Sequence, residues 1–151
     1  MSHKLLIQTD DFHLQTEYER LLVTDPLAGA VVTFVGRVRD LVDKSIEGLY
    51  IEHYEGMTQS ALAAIQQEAV NRFGIYASTI IHRVGSIKSG EQIVLVGASS
   101  MHREDAFAAV EFMMDYLKTQ APFWKKEITS EGDYWVEAKE KDKKLFERWK
   151  K

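Results

Sequence analysis

The chain has 151 residues, 45% apolar and 28% charged, a length and balance that predict one globular domain with its own core and no need of a disulfide or metal staple. The formal net charge of −4 disfavours broad nucleic-acid binding, and the absence of cysteine excludes disulfides, thiolate metal sites, iron–sulfur clusters and a cysteine nucleophile. No run approaches the ~20 apolar residues of a membrane span, and MSHKLLIQTD lacks the apolar stretch of a signal peptide, so a cytoplasmic location is expected.

Lys4–Gln8 reads as a short strand and Leu14–Val23 as a helix that ends before Asp25-Pro26. GAVVTFVGRV, Gly29 to Val38, is β-branched and apolar, which predicts a buried strand. Ile46–Tyr54 alternates and reads as the next strand, with Leu49 and Ile51 on its inner face. The segment Asp40–Ser45 is expected to join these two strands as a hairpin. Thr58 is expected to cap the helix that follows, whose apolar stripe is Leu62, Ile65, Ala69 and Phe73 and whose stop is Gly74.

Ala77–Val84 and Gln92–Ser99 read as strands, with Lys88-Ser89-Gly90 as turn material. Ser99 or Ser100 is expected to cap a second helix, striped by Ala106, Val110, Met113, Met114 and Leu117. After Pro122 come short strands around Trp124–Ile128 and Tyr134–Ala138, then a charged peripheral helix, Glu140–Trp149. The order predicts an α+β or open α/β sandwich in which the Trp135 region forms a small β subdomain.

Three clusters can carry chemistry. Arg37 and Arg39 flank Val38 at a strand end and point to one side, as a pair of guanidiniums gripping phosphate would; a solvated strand end balanced by Asp40 and Asp43 is the plainer alternative. His102 and Arg103 stand at a helix start, where free N–H groups favour an anion, although Glu104 and Asp105 can answer the same charge. Lys118 closes a helix, and Lys125, Lys126 and Glu127 follow a turn stiffened by Pro122. Phe123 and Trp124 should pin that backbone. A lysine desolvated there, or set beside another cation, has a lowered pKa and becomes a usable acid, base or nucleophile. The plainer alternatives are a helix-end cation for Lys118 and solvent exposure for the other two. No P-loop, GxGxxG, HExxH or GxSxG pattern occurs, and the histidines lack metal-ligand spacing.

The segments GAVVTFVGRVR, LYIEHYEGM, IIHRVGSIKSGE, SSMHREDAF, DYLKTQAPFWKKE and GDYWVEA stand here in the same order as in the large, catalytic subunits of molybdopterin synthase, which the chain resembles from about Gly29 to Lys139. The APFWK segment after the YLK helix is the most specific of them. The resemblance implies an α+β sandwich of hammerhead type with a small additional β subdomain, formed by residues 1–151 as one domain. It implies a sulfurtransferase that converts precursor Z, a cyclic pyranopterin monophosphate, to molybdopterin. The sulfur would come from the C-terminal Gly-Gly thiocarboxylate of a small ubiquitin-like carrier. A chain without cysteine is compatible with sulfur delivered by another molecule.

Position by position, the resemblance implies that Arg37, Val38, Arg39, His102, Arg103, Lys126, Glu127 and Lys139 bind substrate, and that Lys118 and Lys125 both bind it and serve catalysis. Phe34 and Met114 would line the channel for the carrier's tail, or be ordinary core. Expected partners are a second copy of the chain and one carrier at each far end, a heterotetramer; no metal, cofactor, nucleic acid or membrane is expected. Lys139 stands where relatives often carry arginine, a position that reaches the neighbouring subunit's pocket, and DLVDKS replaces an Asn-x-Gly element. On residues alone two other readings remain open. One is a non-catalytic module that holds a phosphorylated metabolite or protein tail. The other is a single-stranded RNA binder using aromatics and lysines, which the acidic charge disfavours.

Overall fold

The fold is a computed structural model that describes residues 2–24, 26–39, 46–137 and 139–150. Its elements run β1 (Ser2–Gln8), α1 (Leu14–Thr24), β2 (Ala30–Arg37), β3 (Ile46–His53), α2 (Met57–Phe73), β4 (Ala77–Arg83), β5 (Gly85–Lys88), β6 (Gln92–Ser100), α3 (Arg103–Thr119), β7 (Phe123–Thr129), β8 (Gly132–Val136) and α4 (Glu140–Glu147). The architecture is α+β, as expected. One four-stranded sheet has the order β1-β4-β6-β2 and a second the order β5-β3-β7-β8. Only β1 and β4 pair in parallel; the other described ladders are antiparallel. No described helix is long and apolar enough to cross a membrane.

Strand alternation sorts the core of the first sheet. Ile80, Val94, Val96 and Ala98 face α2 and α3, where they meet Leu62, Ile65, Ala69, Ala109, Val110, Met113 and Leu117. Ile81 and Leu95 face the other way and pack with Phe12. Burying such aliphatic side chains stabilises the fold by roughly 1.5–3 kcal/mol each. The second sheet closes over Val38, Ile46, Ile51, Val84 and Ile87.

Several expectations need correction. GAVVTFVGRV is not a buried strand: among the described residues β2 is an edge strand paired with β6 alone, and Phe34 on it is 40% exposed. Nor do β2 and β3 form a hairpin, because they belong to different sheets; the connecting residues Asp40–Ser45 lie outside the described residues. A bulge between Ile46 and Gly48 shifts the parity of β3, which puts Ile46 on the same core side as Leu49 and Ile51.

Thr58 does not cap α2. Gly56 precedes the helix, its N–H bonding Gln59 Oε1 at 2.7 Å, while the Thr58 hydroxyl accepts from Tyr54 N–H and donates to the Pro122 carbonyl, both at 3.0 Å. Ser99 and Ser100 do not cap α3, because β6 extends through both to pair with β4 and β2, and the cap position falls to His102. The stop at Gly74 stands as expected: its backbone is left-handed, φ 64°, and its N–H bonds Val70 O at 2.9 Å. The short strand β5, read only as turn material at its end, pairs with β3.

Candidate active site

Where the C-terminal end of α3 meets β7, the two sheets leave a cavity of about 310 Å³. Arg37, Arg39, Lys118, Lys125 and Lys139 line it, joined by Glu127, Glu137 and Asp142. That is a recess of five cations and three carboxylates, of a size suited to a small ligand. A narrower cleft of about 50 Å³ opens beside it, lined by Phe34, Met114, His82 and Val94 and sharing Arg37, Lys118 and Lys125 with the first. The lysine pair therefore stands where a polar recess and an apolar cleft meet.

Local sequence explains how the lysines arrive there. Lys118 lies in the last turn of α3, near the carbonyl-rich end that favours a cation. The helix stops at Gln120, and Pro122 O accepts the Thr58 hydroxyl, tying the turn to α2. Then β7 alternates. Phe123, Lys125 and Glu127 face the recess. Trp124 faces away, its ring edge-on to Tyr54 at 4.5 Å, and Phe123 stacks on His82 at 4.0 Å. Two aromatic contacts on opposite faces thus fix the strand immediately before Lys125, as the sequence predicts.

Lys125 is half-buried, and its pKa is lowered from 10.5 to about 8, first by burial and then by the charge of Lys118, with Asp142 opposing. This is the desolvated lysine beside a second cation that the sequence analysis describes. Arg37 is held in place by donating Nε and Nη2 to the Gly90 carbonyl, at 3.3 and 3.2 Å. Val38 is buried, and its backbone is committed to the following turn: its N–H bonds Glu91 O at 2.9 Å and its carbonyl accepts Gly90 N–H at 2.7 Å.

Not every expected residue converges. Lys126 turns to the opposite face of β7, with Nζ 5.0 Å from the Trp135 ring centroid and 5.9 Å from that of Tyr50. His102 and Arg103 sit at the far end of α3 from Lys118; at ~1.5 Å per residue the helix puts about 24 Å between them. Within one chain they do not reach the recess. Lys139, by contrast, lines the recess of its own chain. Sequence reading missed His82 and Asp142. A histidine inside the apolar run TIIHRV gives one signal, a polar side chain in a strand that is otherwise buried.

Fold and recess together define an α+β protein with a lysine pair at the junction of a cation-rich recess and an apolar cleft. Comparison with known proteins gives the class its name. The family model described as MoaE protein matches residues 7–120. The molybdopterin synthase catalytic subunit of Vibrio cholerae serotype O1 is 49% identical over 150 residues, covering 99% of each chain. That of Escherichia coli K12 is 49% identical over 147 residues, covering 97% of each. The solved structure of the molybdopterin biosynthesis MoaE protein from Burkholderia ambifaria superposes with a TM-score of 0.84 at 47% identity, covering 97% of both chains. The chain belongs to the MoaE family, and its relatives are catalytic subunits of molybdopterin synthase.

Proposed function

We propose that this chain is the catalytic subunit of a molybdopterin synthase, a sulfurtransferase acting on precursor Z with a small thiocarboxylated carrier as sulfur donor. The observation that carries the reading is the meeting of two unlike spaces at Lys118 and Lys125. The recess ringed by Arg37, Arg39 and Lys139 suits a cyclic phosphate, which guanidinium groups grip through paired N–H bonds. The cleft between Phe34 and Met114 suits an extended, side-chain-poor Gly-Gly tail. A thiocarboxylate delivered through it would reach the substrate beside two amines.

In this reading the thiocarboxylate sulfur bonds to a substrate carbon as that carbon's bond to oxygen breaks, the oxygen leaving as water or as the freed oxygen of the opened cyclic phosphate, and the product is a thioester between carrier and substrate. Water then cleaves the acyl–sulfur bond, leaving sulfur on the substrate and a carboxylate on the carrier. Two such transfers build the dithiolene. The ammonium forms of Lys118 and Lys125 stabilise the developing oxyanion, and Lys118 moves protons during attack or opening of the cyclic phosphate. With a pKa of about 8, Lys125 can also exchange a proton near neutral pH.

The reading extends to assembly and domain organisation. His102 and Arg103 are too far from Lys118 to join its recess within one chain, so a second copy would have to supply them; a homodimer with a carrier at each far end meets that need. The two sheets act as one domain, since Ile7, Ile93 and Phe123 pack against both of their cores.

Reconstitution tests the proposal. The purified chain, precursor Z and thiocarboxylated carrier are combined, and dithiolene formation is followed with unthiolated carrier as control. Product that depends on the thiocarboxylate is expected. A folded Lys118→Ala protein should lose turnover by about 10²-fold or more; full turnover would remove Lys118 from the chemistry.

A further inference from the structure

His82 is the most deeply buried ionisable side chain among the described residues, and this mechanism leaves it unused. It lies on β4 and is 2% exposed. Alternation along the strand gives it the same side as Ile80, toward α3, and it forms part of the wall of the narrow cleft with Lys118 and Lys125. Its ring is clamped twice. Phe123 stacks on it at 4.0 Å with 18° between planes, and Nδ1 stands 2.8 Å from the Arg83 carbonyl oxygen.

A carbonyl can only accept, so Nδ1 carries the hydrogen. In a neutral imidazole the Nε2 lone pair is then free to accept, and it lies on the far side of the ring from Arg83. The hydrogen bond shown for the ring is the one at Nδ1. The charged groups around the ring are Lys125 on β7 and Lys118 on α3, with His53 on β3 as a further titratable neighbour.

We propose that His82 is a positioning residue for Lys125, an uncharged imidazole whose Nε2 lone pair faces the lysine pair and draws the Lys125 ammonium into the junction of cleft and recess. The inference rests on the reading of Lys125 as a working group of the site. Three features support it. Phe123 is two residues before Lys125 on the same face of β7, so the stack that fixes the ring also fixes the lysine's backbone. The Arg83 carbonyl fixes the tautomer that leaves Nε2 as an acceptor, on a ring that shares the cleft with both lysines. Burial and the neighbouring lysines hold the imidazole pKa down at about 3, so His82 does not become a third cation in the cluster.

The test reads Lys125 directly. The full chain is labelled with lysine carrying ¹³C at Cε, the Lys125 signal is assigned with Lys125→Arg, and its titration is compared in wild type, His82→Phe and His82→Gln. Phenylalanine keeps a ring for the stack but removes the lone pair; glutamine returns an acceptor oxygen. Loss of the acceptor disfavours the ammonium, so His82→Phe should lower the Lys125 pKa by on the order of one pH unit. In the reconstituted reaction it should cut kcat about tenfold with KM for the carrier little changed, and His82→Gln should recover most of both. An unchanged Lys125 titration in folded His82→Phe protein, or equal behaviour of the two variants, would overturn the proposal.

Should His82→Phe fail to fold, the ¹⁵N resonance of His82 Nε2 in otherwise unaltered protein decides. A shift on Lys125→Met supports the contact, and no shift overturns it. A Lys125 that responds to His82 in a protein without turnover would sink the sulfurtransferase reading and leave the positioning intact.

Discussion

Acid should destabilise this protein through His82, by an amount that can be worked out in advance. The folded imidazole has a pKa of about 3, against 6.5 for a free side chain. Because the folded value is depressed, the unfolded chain binds the proton more readily. The stability His82 contributes is therefore present above pH 6.5 and lost progressively as pH falls from there toward 3. At pH 5 the unfolded imidazole is almost wholly protonated and the folded one is not. Relative to pH 7.5 the cost is about 1.5 log units, or about 2 kcal/mol. At pH 5 this depends on the unfolded pKa alone, provided the folded value lies below about 4.

The perturbation is His82→Phe, which cannot titrate there. Urea unfolding followed by tryptophan fluorescence, at steps from pH 7.5 to 5, gives the stability of wild type and variant. Groups such as His3 and Asp11, with shifted pKa, are common to both proteins and cancel in the difference, whereas a Lys125 pKa lowered by about one unit in the variant offsets about 0.5–1 kcal/mol of it. Wild type should lose about 1–2 kcal/mol more than the variant over this range. A difference that stays constant within about 0.5 kcal/mol would mean that His82 is protonated in the folded protein or is open to water, and the burial argument would fail.

Three further outcomes follow from the same geometry. Lys118→Met removes a charge that depresses Lys125, so the Lys125 titration should rise from about 8, by on the order of one pH unit, in the ¹³C experiment. Thr58→Val breaks both hydroxyl bonds and leaves Tyr54 N–H and Pro122 O without this partner; a loss of about 1–3 kcal/mol in denaturant unfolding is expected, with slower turnover because the turn before Lys125 loosens. Gly48→Ala puts a Cβ against the Ile87 carbonyl oxygen between β3 and β5, and thermal unfolding should show a loss of about 1–3 kcal/mol.

Much of the fold was legible because most elements carry local signals. The stripes of α2 and α3, the stop at Gly74 and the strand pieces around Pro122 all follow from periodicity and backbone preference. The basic bracket around Pro122 was legible too, since one short stretch holds the helix end, the turn, the aromatics and the lysines. Hydrogen-bond pairing is a different matter. An apolar β-branched run such as GAVVTFVGRV looks alike as a central or an edge strand, and nothing between residues 38 and 46 reveals that the chain changes sheets there. Caps were misread where a serine or threonine finds a better use for its hydroxyl or backbone in a distant element, as Thr58 does with Pro122.

By itself, the sequence determined the presence of the helices and strands, the cysteine-free chemistry and the identity of the charged clusters, because these depend on residues close together along the chain. Only the tertiary structure decided which clusters meet. Strand alternation sends Lys125 into the recess and Lys126 to the opposite face, though they are adjacent. The length of α3 separates His102 from Lys118, and the packing of one sheet on the other stacks His82 on Phe123 beside the lysines. The physical reason is that a charge acts through distance and solvent exposure, and both are set by packing between residues remote in sequence.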